Sequence, residues 1–334
     1  MMKEINSKKR NMAFDMAKGI AILLMIYDHI VGQGKIITSF HMPIFFIIAG
    51  YFLKEESIKI TIVKKVKRLL VPYLEYNILA LLVGIVKEKC IIHASVDVVR
   101  QYVKDKLINI FMARDIWLLW FLLCLFETII IYTFIKTIIK KVFWRNIVIF
   151  LIFLLGYYLS MVTNGNAPYY IDLGLFAVIF VAIGDALKQI SWKSIEKWKK
   201  YGIFFSLCMI WIAGIHYGLF VMALRIFDRF PLCVFSAIAG SCVVIIICMY
   251  IQNIPMISQL LAWWGRNTMK VLCLANIFRA FIWWQGICGE YLHINNIIVM
   301  FMLQATIIAI IVCGWNGLQN KRRGNIKRIR LGNE

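Results

Sequence analysis

Apolar runs of roughly membrane-spanning length, separated by basic clusters and by turn residues, set the pattern of this chain. At about 1.5 Å of rise per residue, some twenty residues cross the ~30 Å hydrocarbon core of a bilayer. The pattern predicts membrane-spanning helices near 14–33, 40–54, 70–87, 116–136, 146–163, 170–188, 201–221, 231–251, 267–287 and 295–315. The fold class is therefore all-α, a polytopic membrane bundle of about ten helices. Connections such as VTNGNAP, 162–168, carry the Asn, Gly and Pro of tight turns. No soluble domain, repeat or low-complexity linker interrupts the series. Residues 1–334 read as one integral-membrane unit, with a short leading segment at 1–13, the bundle at 14–315 and a basic tail at 316–334.

Composition sharpens this picture. With 62% hydrophobic residues in 334, the chain is too apolar for an ordinary soluble core. Its net charge of +21 invites a nucleic-acid reading. The basic residues, however, fall in clusters between apolar runs, which is the positive-inside arrangement, and no nucleic-acid motif accompanies them. The expected partner is the lipid bilayer of a cell membrane, with both termini cytoplasmic; a homo-oligomer is compatible with the pattern. Nine cysteines lie singly, without metal-ligand spacing, so no metal is predicted. The basic start and first apolar run resemble a signal peptide. Asp15, Lys18, Asp28 and His29 interrupt that run and no small-residue cleavage site follows, so it reads as a retained first helix.

Those ionisable residues are also the first candidates for chemistry, because charge inside a membrane segment is costly and tends to face a polar cavity. Lys18 and His29, eleven residues apart, return to nearly the same helix face about 16 Å apart along the axis. His41 opens the second run, and an unbroken hairpin brings it back beside His29. Ser39, just ahead of it, either joins that pocket or only caps a helix. Asp15 and Lys18 are spaced to pair on one face. Asp28 points about 100° away from His29 and need not orient it.

Further along, KEESIKITIVKKVKRLLVPYL (54–74) reads as an inner loop with an apolar side and a basic cluster that includes Lys65 and Arg68. Such a segment meets lipid phosphates or clamps an anionic ligand such as a nucleotide diphosphate. Glu127 falls well inside the fourth helix and is a site candidate on that ground. Trp117 and Trp120 stand where an interfacial aromatic belt is expected, and a sugar ring would stack on the same side chains. Arg279 lies a turn or two inside the ninth helix.

In sequence order the chain shows K-x10-H (Lys18, His29), FHMPIFFIIAGYFLK (40–54), KKVKRLLVPYL (64–74), LWFLLCLF (119–126 region), FAVIFVAIGDALK (176–188) and WWGRNTMKVL (263–272). This series resembles the integral-membrane acyltransferase family 3, most closely its fucose 4-O-acetylase-like branch of sugar O-acetyltransferases. The resemblance implies transfer of an acetyl group from cytosolic acetyl-CoA to a hydroxyl of a sugar or cell-envelope glycan. It maps Lys18 and His29 onto the family's basic-x10-His motif and Lys65 and Arg68 onto its inner-loop basic pair, so that His29 reads as general base and Lys18, Lys65 and Arg68 as donor contacts. His41, from its position alone, is a candidate to bind acceptor, assist the base or supply an oxyanion donor. Ser39, Glu127, Trp117 and Arg279 are the acceptor-binding candidates. Two departures stand out. Lys65 replaces the first arginine of the R-x-x-R of related members, giving a point charge in place of a planar fork. Ala275, in LCLAN, occupies the place where many relatives carry a histidine. The competing classes are a proton-coupled small-molecule transporter and a membrane substrate-binding module; no paired broken helices or inverted repeat support the former.

Overall fold

The computed structural model describes residues 11–331 apart from 33, 114–116, 164–166, 279–283, 285–287, 290–291 and 295. Among the described residues the architecture is an all-α membrane bundle, in which six helices are long and apolar enough to cross a membrane. The first helix, α1 (Met12–Val31), has the length but carries Asp15, Lys18 and Asp28. It ends at Gly32, whose φ of +99° suits only glycine. Asp28 then holds the turn: its Oδ1 accepts the Gly34 amide at 2.9 Å. The span expected at 40–54 is a nine-residue helix, α3 (Pro43–Tyr51), and a separate short helix, α2 (Lys35–Phe40), precedes it. Pro43 has no N–H to continue the ladder, so it starts a new helix and leaves His41 at the junction.

The stretch expected to be an inner loop folds otherwise. α4 (Ile58–Lys65), a π-wound turn (Val66–Leu70) and α5 (Val71–Val86) follow one another without a break. Pro72 withholds a donor and crowds the turn before it, and the Val71 amide bonds back five residues to Val66 O. α4 and the π turn pack along α7 (Trp120–Ile138). At their foot Glu55 pairs with Lys136 of α7 at 3.4 Å. The basic segment therefore climbs the flank of the bundle rather than lying across a surface. Beyond α5, α6 (Val96–Met112) is capped by Ser95 and buries none of its side chains; it occupies what reads as a long loop in the sequence. Tyr73 donates to Ile110 O at 2.9 Å, tying the start of α5 to the end of α6.

The remaining elements are α8 (Val142–Val162), α9 (Ile171–Leu187), α10 (Lys197–Tyr217), a two-stranded hairpin of β1 (Phe220–Val221) and β2 (Ile226–Phe227), α11 (Leu232–Ile251), α12 (Pro255–Arg266), α13 (Thr268–Ile277) and α14 (Ile297–Leu331). Two glycine crossings set the centre. Gly19 of α1 and Gly265 of α12 lie against each other's helix, as do Gly50 of α3 and Gly184 of α9; a methyl group at any of the four would overlap a backbone carbonyl oxygen. Small residues let membrane helices approach this closely, and dispersion over the resulting contact supplies what lipid cannot. Around these crossings Met16, Ile22, Ile44, Phe46, Leu122 and Phe176 are almost fully buried. The cysteines are all free; five are buried and the others are partly or fully exposed.

A two-histidine cavity

At the end of the bundle where α1 finishes and α7 and α9 begin lies a cavity of about 770 Å³. His29 and His41 both line it, together with Asp28 and Thr38. His29 is half-buried in the last turn of α1. His41, at the junction of α2 and α3, is buried, and its Nδ1 lies 2.8 Å from Ile37 O. A carbonyl oxygen only accepts, so Nδ1 carries the proton and the neutral ring leaves Nε2 as a lone-pair acceptor. Ala275, where the resemblance leads one to expect a histidine, borders the same space.

Mostly aromatic and apolar side chains, with Arg225 and Gln304, complete the walls. Trp120 and Tyr170 stand 5.8 Å apart between ring centroids, and Trp284 lies on the lining as well. Asn276 is buried and its Oδ1 accepts the Leu118 amide at 3.0 Å. This bond fixes the short helical turn Trp117–Leu119 that leads into α7. Tyr170 is overlain by the Arg225 guanidinium at 5.0 Å. Arg225 is in turn bidentate on Asp172: Nε donates to Oδ2 at 3.0 Å and Nη2 to Oδ1 at 3.3 Å. Ser160 Oγ adds a third bond to that carboxylate at 3.2 Å. Asp172 is completely buried. In the sequence it reads as a charge at an exposed helix end, and its partner lies 53 residues away, so no local signal reveals the pair.

The other sequence candidates are distributed as follows. Lys18 pairs with Asp15 at 2.7 Å towards the opposite end of α1 and is not on the cavity lining. Ser39 is buried with both functions of its hydroxyl engaged: it donates to Ile36 O at 2.7 Å and accepts from Trp211 Nε1 at 2.9 Å. Glu127 faces Gly174 of α9, off the lining, and its Oε2 is buried without a hydrogen-bond partner among the described residues. Trp117 opens its helical turn; the cavity lining nearby is supplied by Leu118 and Trp120. Arg279 lies outside the described residues. Lys65 is half-buried at the end of α4, and Arg68 is exposed in the π turn. Below them Glu56 accepts from Lys64, which holds that carboxyl below its usual range.

The arrangement defines a multi-pass membrane protein whose helices enclose two imidazoles in a mainly apolar cavity. A family model described as an acyltransferase domain, acyltransferase 3, matches residues 11–318, and the chain belongs to that family. Neither a curated protein nor a solved structure matches the chain. The protein is thus a membrane acyltransferase.

Proposed function

We propose that this acyltransferase carries an acetyl group from cytosolic acetyl-CoA to a hydroxyl of a sugar or cell-envelope glycan, as in the fucose 4-O-acetylase-like branch of its family. The observation that carries the proposal is the presence of two imidazoles, His29 and His41, in the lining of one cavity. The acceptor oxygen attacks the thioester carbonyl carbon while His29 takes the hydroxyl proton. The C–S bond then breaks, the thiolate receives that proton, and an ester and free CoA thiol leave. His41, with Nε2 as acceptor, orients the acceptor through a second hydroxyl beside the reacting one. Lys65 and Arg68, raised along α7, attract the donor's phosphates. Lys18, near the other end of α1 and held by Asp15, is the third donor contact. Ten crossings with both termini cytoplasmic are the topology we assign, supported by the alternation of basic and neutral connections.

Membranes containing the protein should release CoA thiol from acetyl-CoA only when a hydroxyl acceptor is supplied. His29→Ala should lower kcat by about 10²–10⁴-fold, the usual contribution of a positioned base. Movement of acceptor across the membrane without thiol release would point to transport and overturn the proposal.

A further inference from the structure

The connection between α10 and α11 is more than a turn. Phe220 pairs with Phe227 and Val221 with Ile226 across the hairpin. Its base is cemented into the bundle: Phe220 and Phe227 are buried, and Phe227 stacks on Phe176 of α9 at 4.4 Å. Its apex turns to the cavity, and the five consecutive residues Val221–Arg225 all border it. Among the described residues, no other segment supplies so long an unbroken stretch of the lining beyond the Met25–Gly32 region of α1, where His29 lies.

Arg225 holds this apex in place. Its φ of +56° lies in the left-handed region that side-chain-bearing residues disfavour, so surrounding contacts must maintain it. Those contacts are the two bonds to Asp172, the Tyr170 ring beneath the guanidinium and a bond from Nη1 to Ala223 O at 3.1 Å. Asp172 already matches the arginine's charge. Val221, Met222 and Leu224 bring only apolar side-chain surface.

We infer that the hairpin is the acceptor-selecting wall of the cavity, choosing among glycans by shape and apolar contact, and that the Arg225–Asp172 pair is its positioning device. The nature of the ligand, a glycan, rests on the acyl-transfer reading. The selection concerns the part of the acceptor away from the reacting hydroxyl, since His29 and His41 lie on other elements. Apolar pockets discriminate between ligands differing by small groups by about ten-fold or more, and removing side-chain volume relaxes that choice.

The test uses purified full-length protein and a panel of p-nitrophenyl mono- and disaccharide glycosides, with binding read as the ligand-induced shift in thermal unfolding. Acetyl-CoA is titrated separately. Met222→Ala and Leu224→Ala should change the affinity ratio between the smallest and the bulkiest bound glycosides by about ten-fold, with the acetyl-CoA shift retained. Arg225→Met and Asp172→Asn should flatten the ranking, and Arg225→Lys should restore part of it, as a contact that merely adds stability would not. If the pair variants do not fold, the two apex variants decide. An unchanged ranking in both apex variants, no shift with any glycoside, or loss of the acetyl-CoA shift in parallel would overturn the inference. Altered rankings without thiol release from acetyl-CoA would support the hairpin's role and overturn the acyl-transfer reading alone.

Discussion

The glycine crossing of α3 and α9 gives a sharp quantitative test of how the site is framed. Gly184→Ala places a methyl group on the Ile47 carbonyl oxygen, which is fixed backbone with no rotamer to yield. Ordinary contact begins near 3.4 Å, so the two helices must part or slide before the new atom fits. Overpacking of this kind costs about 1–3 kcal/mol, with the upper end expected where backbone must move. At about 2 °C per kcal/mol for a chain of this size, unfolding should fall by roughly 2–6 °C, towards the upper figure. Gly202→Ala is the control, because nothing lies within 4 Å of its added carbon. Alanine favours a helix over glycine by about 0.5–1 kcal/mol, so that variant should be unchanged or slightly more stable. Thermal unfolding of both in the same lipid nanodisc is the assay. α3 and α9 also carry the junction at His41 and the buried Asp172, so a displaced crossing should lower activity as well. Equal stability of Gly184→Ala and Gly202→Ala would refute the reasoning.

Other consequences follow from particular contacts. Replacing Lys65 and Arg68 together by Ala should raise the KM for acetyl-CoA about ten-fold, the scale of one or two charge-assisted bonds, while the acceptor KM stays put; steady-state kinetics with each substrate varied in turn checks this. Ser39→Ala should cost about 1 kcal/mol of stability through the orphaned Trp211 N–H, with the acceptor KM unchanged because Ser39 is not on the lining; a rise in that KM would return it to the site. Glu127→Gln should leave the fold at least as stable, since it removes a charge at a buried oxygen that forms no hydrogen bond among the described residues; loss of folding in thermal unfolding would reveal a required carboxylate there.

The parts of this protein legible in its sequence are those encoded locally. Apolar run length marks the membrane helices, and the short interval between His29 and His41, closed by Gly32 and Gly34, allows α2 to return both rings to one cavity. What stayed hidden depends on distant partners. Asp172 resembles a solvated helix end until Arg225 is seen across the fold, and the hairpin resembles an ordinary connector until Phe176 is seen beneath it. Ser39 beside His41 suggests a shared pocket, but Trp211 of α10 claims its hydroxyl. The basic segment at 54–74 has the composition of a surface loop. Its course up α7 is set by packing and by the Glu55–Lys136 pair, which composition does not report.

Alkylation by bromoacetyl-CoA tests the central claim most directly, because its reactive carbon sits next to the carbonyl that would face the acceptor and an imidazole displaces its bromide. Peptide mass spectrometry should locate the label on His29 or His41, and excess acetyl-CoA should protect both. Label confined to other residues, or histidine label indifferent to acetyl-CoA, would contradict a thioester reaching this cavity.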